Sequence, residues 1–160
     1  MLNKNKKGFT LVELLITIFV FTVGILGVYL IVQNLISVAN YAKYRLTTIY
    51  LAQEGIEIVR NIRDTNWVEG SIWDDGLPQG SNFGVQYDST SLMPNYGNIP
   101  LKKDANGFYV YNGTQDTPFR RNISIEKPDD HTLIVTVEVN WSDKFSPTVI
   151  KSKLYNWIPR

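Results

Sequence analysis

The sequence predicts an α+β fold: one long amino-terminal helix packed on a carboxyl-terminal antiparallel β-sheet. Three observations carry that expectation. From Phe9 past Ala39 the chain is apolar with a single charge, Glu13, and no Asp, Glu, Lys, Arg or His follows until Lys43. Between Leu46 and Ile62 apolar residues recur three and four apart, the spacing of a one-sided helix. Beyond Asn106, short segments alternate apolar and polar side chains between tight-turn dipeptides.

The basic leader comes first. Residues 1–8 carry Lys4, Lys6 and Lys7 and no acid. The run Leu14–Val32 follows, almost wholly Leu, Ile, Val, Phe, Thr and Gly. At about 1.5 Å per residue it spans about 28 Å, close to the ~30 Å hydrocarbon thickness of a bilayer. A membrane helix is expected, with the lysines cytoplasmic and the carboxyl-terminal bulk outside. A secretory signal peptide fits poorly, because its apolar region is about 7–15 residues long and ends at a small-residue cleavage site. The helical pattern instead continues through Leu46, Ile49, Ala52, Ile56, Val59 and Ile62, with Arg45, Gln53, Glu54, Glu57, Arg60 and Arg63 on the other faces. The helix is thus expected from Phe9 to about Asp64, about 80 Å at the same rise.

Glu13 lies one turn inside the apolar run. A carboxylate in the bilayer interior costs about 2.5–3.5 kcal/mol on insertion scales, which marks it as a functional candidate. The other reading is an interfacial glutamate reaching back to the headgroups. The lysines lie six to nine residues upstream, too far for a tidy local pair, and Gly8-Phe9 offers a cleavable bond between basic stretch and apolar run.

Lys7-Gly8-Phe9-Thr10-Leu11-Val12-Glu13-Leu14 resembles the prepilin motif of type IV pilins and type II secretion pseudopilins. A basic leader ending in Gly, then Phe, an acid four positions later and a membrane-length helix all coincide. Ala52-Gln53-Glu54-Gly55-Ile56-Glu57 and Arg60-Asn61-Ile62-Arg63-Asp64 are similar to minor pilins of the pilus-modification type. The resemblance implies a pilin-like fold and a structural rather than enzymatic role. It makes Gly8 and Phe9 the processing residues: prepilin peptidase cuts between them, and the new Phe9 amine is N-methylated. It makes Glu13 and Phe9 the assembly-register pair, the acid of one subunit meeting the amine of its neighbour. A lone ammonium and a lone carboxylate are each costly in an apolar medium, and the pair recovers much of that cost. The partners implied are other pilin or pseudopilin subunits, the prepilin peptidase/methylase, membrane lipid and an inner-membrane assembly platform. No cofactor is implied. The location implied is the cytoplasmic membrane, single-pass, then a pilus or pseudopilus at the cell surface. Pilins often carry a proline within the span; here Gly24 and Gly27 stand mid-span, as a locally loosened helix or as close helix–helix contact.

The ranges expected are leader 1–8, transmembrane and filament-core helix 9–40, amphipathic continuation 41–64, variable connecting loop 65–107 and sheet 108–160. The segment 65–107 is rich in Gly, Pro, Asn, Ser and Asp with isolated aromatics, a loop pinned to the core and the place for recognition specificity. Strands are expected at Phe108–Tyr111, at Phe119–Ile125 with Phe119, Ile123 and Ile125 on one face, at Thr132–Trp141 with Leu133, Val135, Val137, Val139 and Trp141 inward, and at Val149–Trp157.

Composition narrows the chemistry. The 160 residues allow one small domain plus an appendage. Sixteen Lys and Arg against 15 Asp and Glu leave a net charge of +1, with no basic excess for nucleic acid. Zero cysteines exclude disulfides, cysteine zinc sites and a thiol nucleophile, and the single His131 argues against a Ser-His-Asp arrangement. Asp104-Ala105-Asn106-Gly107 resembles part of a calcium loop but lacks the later glutamate, and reads as a strand-leading turn. No metal site is expected. Asp74-Asp75 and Asp129-Asp130 read as solvated turns and His131 as a turn residue. Arg120-Arg121 lie on a strand and point to opposite faces, so they make no nucleic-acid surface. The competing function is an uncleaved, membrane-tethered binding module presenting the 65–107 loop to a ligand.

Overall fold

A computed structural model describes residues 8–157 of the chain and divides it at Lys43/Tyr44 into two compact units. One helix, α1, runs from Leu11 to Glu69. In the first unit it is exposed at every described residue. Its most apolar stretch has a mean hydropathy of 2.7, and it is the only helix among the described residues long and apolar enough to cross a membrane. Two threonine hydroxyls in this stretch return to the helix backbone: Thr17 donates to the Glu13 carbonyl and Thr22 to the Ile18 carbonyl, both at 2.7 Å. A Cβ added to Gly24 or Gly27 would meet only open space.

In the second unit, the head, α1 buries a stripe formed by Thr48, Leu51, Ala52, Gly55, Ile56, Ile58, Val59, Ile62, Arg63 and Trp67. The expected stripe is rotated slightly, because Leu46 stays exposed and Leu51 and Gly55 join the packed face. Arg63, expected outward, lays its stem along the helix with its guanidinium 4.4 Å over the Trp67 ring and its charge on Asp64. The helix runs five residues beyond the expected end. Trp67 holds the extra turn, meeting Trp157 edge-on at 5.0 Å and donating from Nε1 to Asn156. Gly70, at φ 79°, then stops it, with Ser71 N–H bonded to the Asn66 carbonyl and Gly70 N–H to that of Trp67. This is a glycine-closed helix end in which the left-handed residue needs no Cβ.

The sheet is wholly antiparallel and organised around one long strand. The strands are β1 (Gly80–Gly84), β2 (Met93–Pro94), β3 (Pro100–Lys103), β4 (Tyr109–Val110), β5 (Gln115–Asp129), β6 (Thr132–Asn140) and β7 (Thr148–Tyr155). Along one side β5 pairs with β1 and with β3, which carry β2 and β4 outside them; along the other it pairs with β6, which carries β7. Three strands thus fall inside 65–107, the segment read as connecting loop. Their sequences hid them: β1 contains Gly80, Gly84 and Asn82 at φ 67°, β2 ends in proline and β3 begins with one. Such residues are tolerated at irregular edges, and the β1 and β3 pairings with β5 both show register shifts. The other strands lie within a few residues of expectation, except that β5 begins four residues before Phe119 and ends four beyond Ile125.

Leu133, Val135, Val137, Val139 and Trp141 are all buried against the helix, as are Phe119, Ile123 and Ile125. Between them on the same face of β5 stands Arg121, with no exposed surface. Its Nη1 donates to the Leu51 carbonyl at 3.0 Å and to Glu54 Oε2 at 2.8 Å, and its Nη2 donates to the Val85 carbonyl. One side chain therefore ties α1, β5 and the residue after β1 together. The close approach that permits this passes through Gly55, where an added Cβ would lie 3.0 Å from Val137 and 3.3 Å from Arg121. Arg120, its neighbour, is exposed on the opposite face.

Two predictions follow from this core. Arg121→Ala leaves Glu54 and two carbonyls without their donor and costs about 3–5 kcal/mol. Glu54→Ala strands a buried guanidinium, but Glu54 is one-third exposed, so a smaller loss of about 1.5–3 kcal/mol is expected. Urea denaturation of the full chain in detergent ranks the two, and equal stability of Arg121→Ala and wild type refutes the clamp. The second concerns Tyr111, whose buried hydroxyl lies beside Gly84 and near Arg121. Burial raises its pKa above the ordinary 10.0, offset in part by the Arg121 charge. The neutral phenol is the form the fold favours, so its contribution is complete below pH 10 and is lost as pH rises through the raised folded value. Tyr111→Phe therefore flattens the alkaline limb of a stability-against-pH curve, and an unchanged limb refutes the assignment.

Candidate functional site: the amino-terminal end of the helix

The sequence-derived site residues Gly8, Phe9 and Glu13 lie together at the start of α1. Lys4, Lys6 and Lys7 lie outside the described residues. Gly8 and Phe9 are exposed in non-helical backbone, two to three residues before the first helical residue. A Cβ at Gly8 would touch nothing. The Gly8–Phe9 bond is therefore exposed and lies outside the helix.

Thr10 begins the helix. Its carbonyl accepts from Leu14 N–H at 3.1 Å, and its Oγ1 accepts from Glu13 N–H at 3.2 Å. That is an N-cap satisfying one of the otherwise orphaned donors of the first turn. Sequence reasoning missed it, although Thr10-Leu11-Val12-Glu13 has the T-x-x-E spacing of a capping box. Glu13 thus has a local role as well: it is the acidic residue of the first turn, where the helix dipole favours negative charge. Its exposed carboxylate projects from a helix whose neighbouring side chains, Leu11, Val12, Leu14 and Ile16, are all apolar and exposed.

Residues 3–29 match the family model for the prokaryotic N-terminal methylation motif. The chain carries a prepilin-type signal. That signal is the one found on type IV pilins and pseudopilins, and it covers the leader, the capped helix start and most of the apolar stretch. No curated protein and no solved structure matches the chain.

The remaining candidates fall into structural roles. Asp104 Oδ1 accepts from the backbone N–H groups of Asn106 and Phe108 at 2.9 Å, closing the turn between β3 and β4 with Gly107 at φ 88°. Asp129 Oδ1 accepts from His131 N–H at 2.8 Å, and this contact, with Thr132, holds its carboxyl below the usual range. Asp74 is not merely solvated, because it pairs with Lys127 at 2.5 Å and is largely covered. Among the described residues no group of three His, Asp or Glu side chains could hold a metal ion.

Thr10→Ala removes the cap beside the prepilin-type signal and costs the first turn about 0.5–2 kcal/mol. Hydrogen exchange at the Glu13 amide in micelles should speed up accordingly, while Thr10→Ser leaves it near wild type. Unchanged exchange in Thr10→Ala refutes the cap.

Proposed function

We propose that the chain is a structural subunit, a minor pilin or pseudopilin, that works through helix packing rather than catalysis. It inserts in the cytoplasmic membrane with its head outside, is cut by prepilin peptidase between Gly8 and Phe9, and is N-methylated on Phe9. It then enters a type IV pilus or secretion pseudopilus, where lipid is exchanged for the helices of other subunits. The observation that carries this reading is the prepilin-type signal at residues 3–29 leading into an apolar helix that the chain leaves entirely uncovered. So long an exposed apolar surface has to be covered by something outside the chain, and bilayer and filament core are apolar environments of the right kind in turn.

Glu13 and Phe9 set axial register in this scheme. Cleavage removes three lysines and leaves one new amine close to a carboxylate in an apolar setting. Each charge alone is expensive there, so the arrangement in which amine and carboxylate of neighbours meet is favoured over registers that leave both unpaired.

Two measurements test the proposal. The mass of protein extracted from its host membrane should show residues 1–8 lost and one methyl gained; an intact leader returns the chain to the tethered-module reading. Glu13→Ala should be cut and inserted normally yet be absent from sheared filaments. Incorporation at the wild-type level would falsify the register role.

A further inference from the structure

The sheet ends differently on its two sides. On one side its outermost strands, β2 and β4, are two residues long and lean on neighbours whose pairing with β5 is shifted. On the other side β7 runs for eight residues and pairs with β6 in unbroken register from Thr148 to Tyr155. Among the described residues β7 has no other strand partner. A short or irregular edge is a poor template for another strand, whereas a long regular one is a ready template.

The ladder fixes which backbone groups that edge offers. Asn156 N–H donates to the His131 carbonyl at 2.8 Å, one step beyond the Thr132/Tyr155 pair, so residues 131 and 156 form a hydrogen-bonded pair. Such pairs alternate along an antiparallel ladder, so Thr148, Ile150, Ser152 and Leu154 likewise direct their N–H and C=O groups to β6. The N–H and C=O groups of Val149, Lys151, Lys153 and Tyr155 point the other way, along the open edge. The side chains of these same four residues are exposed and share the outer face of the sheet. On that face Lys151 and Lys153 stand opposite Thr136 and Ile134 of β6, with no carboxylate facing them, and Glu138 stands opposite Val149. Among the described residues neither lysine belongs to an ion pair.

We propose that β7 is a docking edge for an extended acidic segment of a different protein, which adds to the sheet as one more strand. Backbone hydrogen bonds along the edge supply the adhesion, as they do wherever a peptide extends a sheet. The lysine pair supplies the choice. Two carboxylates spaced two residues apart stand opposite Lys151 and Lys153, with apolar side chains opposite Val149 and Tyr155. The same lysines turn away a second copy of this chain, because two β7 edges paired about their centres set lysine against lysine. The edge lies wholly within the head, so the inference is independent of the filament reading.

The test uses the full chain in neutral detergent and a synthetic peptide, TVTETETVT, whose palindromic order presents its glutamates to the lysines in either strand direction. At saturating peptide, hydrogen exchange read by NMR should slow about tenfold at the amides of Val149, Lys151, Lys153 and Tyr155. The amides of Ile150, Ser152 and Leu154, already paired with β6, should change little. The basic counterpart TVTKTKTVT should slow none of them. The double variant Lys151→Glu, Lys153→Glu should bind the glutamate peptide about tenfold more weakly and accept the lysine peptide instead. Should that variant fail to fold, the two peptides on the wild type decide alone. No slowing of the four edge amides at any concentration of the glutamate peptide overturns the inference. So does peptide binding that requires both lysines yet slows no amide, which assigns them to charge attraction without strand addition. Dimerisation of the wild type that protects the same four amides without peptide also overturns it, and assigns the edge to a second copy.

Discussion

The first half of α1 presents apolar side chains on every side, and every described residue of it is exposed. That single constraint organises the rest. An all-round apolar helix cannot stand in water, so its surroundings must be lipid or other helices, and the chain must reach those surroundings before it can do anything else. The sequence responds in small ways. Thr17 and Thr22 return their hydroxyls to the helix backbone, which satisfies those two donors without water. The one charged side chain there is Glu13, and a charge in such a setting needs a reason.

The second half of the same helix solves a different problem. Its packed face meets the sheet at Gly55, close enough that Val137 and Arg121 occupy the space a side chain would take. The clamp at Arg121 depends on that closeness, since only a short gap lets one guanidinium reach two helix groups and the Val85 carbonyl together. A buried charge is a poor source of net stability, yet it admits very few alternative packings.

Much of this was legible in the residues because it rests on periodicity. The span, the amphipathic continuation and the inward face of β6 follow from spacings of three, four and two that burial imposes directly. The N-terminal cap was legible too, in Thr10 and Glu13, but was overshadowed by the charge of the acid. Arg121 was placed correctly on the face opposite Arg120, and the alternation through Phe119 and Ile123 already assigned it to the core; expectation that arginine belongs in water obscured it. The strands within 65–107 were not legible. Glycine, proline and a left-handed asparagine break the period there, and only pairing with the distant β5 makes those residues strands. The helix end at Gly70 was missed for a related reason, because Trp67 earns its helical turn from Trp157 and Asn156 at the other end of the chain.

The position of the Thr10 cap has one more consequence. Its oxygen lies on the carboxyl-terminal side of the Gly8–Phe9 bond, so both partners of that hydrogen bond lie beyond the proposed cleavage point. Under the proposed processing, cutting the Gly8–Phe9 bond would remove three lysine charges and leave one amine, while both partners of the Thr10–Glu13 hydrogen bond stay in the chain.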